Sequence, residues 1–146
     1  MNTLLEITAD ETLTVRQAVL RIGMPLESCL FDGDELDSTK HFGYFINNKL
    51  TAIVSIFKNN NSNFNLQNQF QIRGMAVLKK YQKCGIGKKL LLHSEIFCKS
   101  QNASIIWFNA RESATGFYES MKYKKVGNAF EIKNIGTHFV MKKELY

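Results

Sequence analysis

The sequence predicts a mixed α/β domain, and three observations predict it. Two apolar runs, residues 43–46 and 50–57, are separated by Asn47-Asn48-Lys49, whose asparagines tolerate the positive φ of a tight hairpin, so an antiparallel pair is expected. A strand-like run at 70–78 leads through a glycine loop into an amphipathic helix and on to a short buried-type strand at 104–108, which makes one βαβ unit. Two further strand-like segments, 123–132 and 138–142, close the chain. Antiparallel strands therefore stand at both ends, with the parallel unit between them.

Taken in order, Val15, Ala18, Val19 and Ile22 have helical spacing, which predicts a helix over 14–22 that stops at Gly23 before Pro25. Residues 28–40 are acidic and turn-rich around Asp32-Gly33-Asp34-Glu35, an exposed connection. Residues 59–68 are rich in asparagine and read as a polar loop without chemistry. From Ile86 onward, Ile86, Leu90 and Phe97, flanked by Leu92 and Ile96, trace an apolar stripe opposite Lys88, Glu95 and Lys99. Ala114, Phe117 and Met121 give the next helix its apolar face. No internal repeat and no linker divides the chain, so residues 1–146 are expected to form a single domain.

Composition agrees. At 146 residues, 45% apolar and 12% aromatic, the chain can bury a core without disulfides or a structural metal. Cys29, Cys84 and Cys98 are odd in number and lack C-x-x-C spacing, so free thiols and no metal site are expected. The first fifteen residues carry acids where a signal peptide needs a basic start, and no apolar run approaches the roughly 18 residues of a membrane span. A cytoplasmic protein with no membrane partner is expected. The net charge is +6, and Arg73, Lys79, Lys80, Lys83, Lys88 and Lys89 fall in a stretch without acids. That stretch is either a solvated basic face or the footprint of an anionic partner.

The segment Gln82-Lys83-Cys84-Gly85-Ile86-Gly87-Lys88 lies between strand and helix. A helix N-terminus presents unpaired N–H groups and about half a positive charge, and glycines let a phosphate approach them. A dinucleotide fingerprint would need a third glycine where Leu90 stands, and a P-loop would need Ser or Thr where Lys89 stands, so both are excluded. A purely structural turn, with Gly85 as a cap and Gly87 easing helix-to-sheet packing, stays open from the loop alone.

Arg73-Gly74-Met75-Ala76-Val77, then Gln-x-x-Gly-x-Gly at 82–87, then Ala114-x-x-Phe117-Tyr118-Glu119, in that order and spacing, resembles the GNAT superfamily of acetyl-CoA-dependent N-acetyltransferases. The resemblance runs from about residue 42 to the C-terminus. It implies a central mixed, largely antiparallel sheet of about six to seven strands flanked by about four helices. It further implies that the backbone of Met75, Ala76 and Val77 pairs with the pantetheine arm of CoA, and that N–H groups at Lys83, Cys84, Gly85, Ile86, Gly87 and Lys88, after Gln82, hold the pyrophosphate. Cys84 reads as a spectator within that loop.

Transfer of acetyl from a thioester to an amine needs a neutral amine, a donor to the developing oxyanion and a proton for the thiolate. By the resemblance Tyr118 supplies the proton, and the N–H of Val77 could serve the oxyanion. His138, His41 and Glu112 are the candidate bases, His138 foremost, while His93 lies on the helix behind the loop. Asn109 could bond the cofactor arm. Many similar enzymes carry asparagine seven residues before the tyrosine, where this chain has Arg111, which could meet a phosphate or a carboxylate.

The acceptor would be a small-molecule or peptide amine, and the acidic loop at 32–37 would suit a cationic one such as a polyamine, an aminoglycoside or a lysine side chain. The resemblance also allows a homodimer. Two other readings compete: a CoA-binding regulatory domain without catalysis, against which Tyr118 speaks, and a nucleic-acid-binding module, for which only Tyr81 interleaves with the lysines.

Overall fold

Thr8 and Glu11 form a capping box: the Thr8 N–H donates to the Glu11 carboxylate at 2.9 Å and the Glu11 N–H donates to Thr8 Oγ1 at 3.2 Å. A computed structural model describes residues 1–145 of the chain, and this cap sets its first helix, α1 (Ala9–Val19). The helix thus starts five residues before the apolar spacing places it. Residues ahead of the cap are free to form a strand that the sequence reading did not include, β1 (Asn2–Ile7). Ile22 lies beyond the C-cap residue Leu20 and is 77% exposed, so it belongs to no buried stripe.

Asn47 and Asn48, at φ 49° and 67°, make a two-residue turn with both residues left-handed, joining β2 (Lys40–Ile46) to β3 (Lys49–Lys58). That geometry matches the twist of the strands it connects. β3 is buried along almost its whole length because it has helices on both faces. Ala52, Val54 and Ile56 share one core with Leu90 and Leu91 of α2 (Ile86–Ser100), while Ile53 shares another with Val15 of α1.

β4 (Gln69–Val77) follows β3 antiparallel, and β5 (Ile105–Arg111) follows β4 in parallel across α2. After α3 (Thr115–Ser120), the chain forms β6 (Lys124–Ile132) and returns as β7 (Gly136–Glu144), which inserts between β5 and β6. The sheet runs β1-β2-β3-β4-β5-β7-β6, with every pairing antiparallel except β4 with β5. Among the described residues there are three α-helices and three short 3-10 turns, where the resemblance implied about four helices.

Two features position the site. β4 and β5 pair only from Gln69 opposite Ile105 to Gln71 opposite Trp107, and both strands then continue unpaired with each other. On the other edge of β4, Ser55 of β3 faces Arg73 while Ile53 faces Ala76, so Gly74 and Met75 oppose Val54 in a bulge. Gly74 takes φ 66°, and a Cβ there would stand 2.9 Å from the Phe31 ring. The bulge re-aims the second half of β4 just where the strands separate.

Within α2, Glu95 is buried rather than solvated. It accepts from the Tyr123 hydroxyl at 2.8 Å and from Lys143 Nζ at 3.2 Å, which satisfies a charge that the apolar-stripe reading placed in water. Leu92 and Ile96 are exposed alongside Lys88 and Lys99, and Leu91 and Cys98 are buried.

Candidate active site

Between the diverging halves of β4 and β5 opens a cleft of about 240 Å³. Arg73 and Met75 of β4, Asn109 and Arg111 of β5, Tyr118 of α3 and His138 of β7 all line it. These six residues thus converge on one space although four elements supply them.

The Tyr118 ring packs on Phe108, centroids 4.4 Å apart, and edge-on against Phe117 at 5.2 Å. Burial pushes its hydroxyl up to about 12, so the phenol stays protonated across the working range of an enzyme. The side chain is therefore both a packing residue and a protonated phenol held in the cleft.

Next to the cleft and not in its lining, the glycine loop lies beside Met75 at the start of α2. Gly85 is its N-cap at φ 82°, in the left-handed region that favours glycine, and no side chain caps the first N–H groups. No acid lies in that first turn. A Cβ on Gly87 would have Phe117 at 3.8 Å and Met75 at 4.0 Å as its nearest neighbours, so helix start, β4 and α3 come together there without crowding. Lys83, itself left-handed at φ 62°, Cys84 and Lys88 are exposed around the loop. Lys89 is held away, its Nζ 3.3 Å from the Tyr44 hydroxyl. Gln82 bridges loop and strand, its amide donating to the Val77 carbonyl at 2.9 Å. Unpaired N–H groups, left-handed backbone and cations without an acid make a donor set that fits a pyrophosphate.

The edge of β4 that faces β5 is also open. The Leu78 N–H donates to Thr51 on β3 at 2.9 Å, and N–H groups alternate along a strand, so the Val77 N–H points to the cleft side. A donor on an unpaired strand edge fits an extended arm laid along it.

The three candidate bases part company. His138 is buried, lines the cleft and has its Nδ1 2.8 Å from the Gly136 carbonyl. A carbonyl only accepts, so neutral His138 carries its proton on Nδ1 and leaves Nε2 with a lone pair. His41 belongs to a different cluster under α1. Ser55 accepts from Arg16 at 2.9 Å and donates to His41 Nδ1 at 2.7 Å, while His41 Nε2 donates to the Asp34 carbonyl at 3.0 Å. Both nitrogens are engaged, and His41 does not line the cleft. Glu112 is exposed on a 3-10 turn and does not line it either.

Asp34 is the core of that second cluster. It receives two hydrogen bonds from Arg16, at 2.6 and 3.0 Å, and one from the Phe31 N–H at 2.9 Å. Burial alone would raise its pKa, and the Arg16 bond with the Phe31 N–H, Arg16 charge and His41 outweighs that, leaving the carboxyl below its ordinary value. The acidic loop therefore turns its one buried acid inward, and none of its carboxylates lines the cleft.

Sequence reading missed Arg21 and Phe31, both of which line the cleft. Arg21 follows the C-cap of α1, and Phe31 is brought to β4 by the Asp34 turn, so neither carries a local pattern that announces a site.

Comparison with known proteins adds the following. A family model described as an acetyltransferase (GNAT) domain matches residues 33–145. YitI of Bacillus subtilis (strain 168), an uncharacterized N-acetyltransferase, is 30% identical over 139 residues, 95% of this chain and 93% of its own. The ribosomal-protein-S18-alanine N-acetyltransferase from Escherichia coli superposes with a TM-score of 0.77 at 17% identity, over 99% of this chain and 94% of its own. An aminoglycoside 6'-N-acetyltransferase complexed with coenzyme A superposes with a TM-score of 0.73 at 13% identity, over 99% and 97% of the two chains. At such identities these two structures are alike in fold alone.

Proposed function

The chain belongs to the GNAT acetyltransferase family, and on that premise we propose that it moves acetyl from acetyl-CoA directly onto an amine, with Tyr118 as general acid and His138 as general base. The observation that carries this reading is that Met75 and Tyr118 line one cleft while the glycine loop lies beside Met75 at the start of α2.

The N–H groups from Lys83 to Lys88 would hold the pyrophosphate, and the edge of Met75, Ala76 and Val77 the pantetheine arm, with the Asn109 amide in reach of the same gap. Bound there, acetyl-CoA supplies an activated thioester. His138 Nε2 takes a proton from the amine as the C–N bond forms. The Val77 N–H, fixed by its strand, donates to the oxygen that gains charge. As the C–S bond breaks, Tyr118 gives its proton to the sulfur. Burial makes the phenol a weaker acid, yet it equally favours a neutral thiol over a thiolate in the same cleft.

A thermal melt with acetyl-CoA, against NADH, ATP and a DNA duplex, tests the cofactor assignment. At about 100 times its dissociation constant, acetyl-CoA should stabilise the fold by roughly 2.7 kcal/mol. Stabilisation by DNA or ATP and none by acetyl-CoA would overturn the reading. Stabilisation by acetyl-CoA, with thiol release that Tyr118→Phe leaves unchanged, would remove the tyrosine from the chemistry.

A further inference from the structure

Arg21, Arg73 and Arg111 line the cleft, and among the described residues no acidic side chain does. Arg21 and Arg111 converge on one atom, their guanidinium nitrogens lying 3.2 and 3.4 Å from the Leu20 carbonyl oxygen. Arg21 and Arg73 converge on one ring, their guanidinium carbons 5.8 and 4.6 Å from the Phe31 centroid. The three positive charges are therefore gathered at the Leu20 and Phe31 rim.

Like charges brought together repel unless an anion lies among them, and here the nearest candidate is already committed. Asp34 is paired with the fully buried Arg16, which itself lies over the Phe31 ring at 3.8 Å. Among the described residues the Arg73 guanidinium forms no ion pair and no hydrogen bond, and Asp32 and Asp34 act on it only at a distance. Burial and the Arg16 charge both work against its protonated form, while Asp34 and Asp32 favour it. Guanidinium groups fork onto carboxylate and phosphate oxygens, and such charge-assisted bonds are the strong ones.

We infer that the amine acceptor carries an anionic group, a carboxylate or a phosphate, which Arg21, Arg73 and Arg111 hold while its amine faces His138. The register places the two functions side by side, since Arg111 and His138 are cross-strand partners. The inference rests on the acetyltransferase reading and narrows its substrate class. It also runs against the cationic acceptor that the acidic loop suggested, because a polyamine or an aminoglycoside would meet only like charge here.

Matched acceptor pairs test it: amino acids against their carboxamides, and an amino sugar phosphate against the free amino sugar, with spermidine and kanamycin as cationic members. Thiol release from acetyl-CoA is followed under steady-state conditions. At least one anionic member should exceed its neutral partner by roughly 10- to 100-fold in kcat/KM. Arg111→Gln with Arg21→Gln, both near the surface, should erase that ratio through KM while the melting shift with acetyl-CoA stays as in the wild type. Whether carboxylate or phosphate wins identifies the source of the anion. A panel in which no anionic member exceeds its partner, or in which spermidine or kanamycin is preferred, overturns the inference while leaving the acetyltransferase reading intact. Loss of the acetyl-CoA melting shift in the wild type strikes the acetyltransferase reading itself.

Discussion

His138 of β7 stands directly across from Arg111 of β5, and both line the cleft where β4 and β5 part. Opposed residues of an antiparallel pair project from the same face with their Cβ atoms about 5 Å apart. A lone pair able to take a proton and a fixed positive charge are thus held together by register alone.

The first prediction concerns that lone pair. Replacing His138 by Gln removes the base, so kcat/KM at pH 7 should fall by about 10²-fold. Raising the pH should recover part of the loss, because a growing fraction of the amine is then neutral without help. The acetyl-CoA melting shift should be unaltered. An unchanged kcat/KM at pH 7 would take His138 out of the mechanism.

The second concerns Tyr118. With Tyr118→Phe the ring still packs on Phe108, so the melting midpoint near neutral pH should hold, while kcat should drop by about 10²-fold with little change in the KM for acetyl-CoA. Stability gives an independent readout. The hydroxyl titrates near 10 when unfolded and at about 12 when folded, so its contribution is complete below pH 10 and is lost as pH rises toward 12. The Phe variant should therefore lose less stability than the wild type over that interval. Denaturant titrations at pH 9 and 11 measure the difference.

How far the sequence could be read follows from what each feature depends on. The Asn47-Asn48 turn, α2 and the strands around the glycine loop are locally encoded, by left-handed asparagines, by helical spacing and by punctuation, and they stand where the spacing puts them. β1 was not, because Leu4 and Leu5 lie in an edge strand with little buried surface and no alternating pattern. The capping box Thr8-x-x-Glu11 was a visible signal that outweighs the apolar spacing from Val15 on. Glu95 and Arg16 are buried because distant partners satisfy them, Tyr123 and Lys143 for one and Asp34 for the other, and no local pattern reports a distant partner. In the cleft, Tyr118, Met75 and Gly74 lie in motif segments, whereas Arg21 and Phe31 arrive by tertiary folding of the loop after α1.

The third prediction concerns the cluster beneath α1. Asp34→Asn leaves Arg16, fully buried, without its counter-charge, and breaking such a pair costs about 3 to 5 kcal/mol. The carboxyl titrates below its ordinary 3.8, so its contribution is present above that value and is lost as pH falls through the folded one. The gap between wild type and variant should then be wide at pH 7 and narrower at about pH 2, below the ordinary carboxyl value. Urea melts at both pH values check it, and a variant as stable as the wild type at pH 7 would show the pair to be dispensable.

The fourth separates binding from packing at the glycine loop. If Gly87 were needed for close packing of α2 on the sheet, a methyl there would clash, but its nearest neighbours would be at 3.8 and 4.0 Å, ordinary contact distances. Gly87 also has no positive φ, and alanine in a helix is favoured over glycine by roughly 0.5 to 1 kcal/mol. Gly87→Ala without ligand should therefore melt at or slightly above the wild-type midpoint. The same methyl would project between the helix start and Met75, into the space the arm and pyrophosphate are proposed to share, so affinity for acetyl-CoA should fall. A tenfold weaker complex would cut the stabilisation at a fixed 100-fold excess over the wild-type constant from about 2.7 to about 1.4 kcal/mol. A variant that melts lower without ligand and keeps the full acetyl-CoA shift would make this glycine a packing residue and move the pyrophosphate site away from the start of α2.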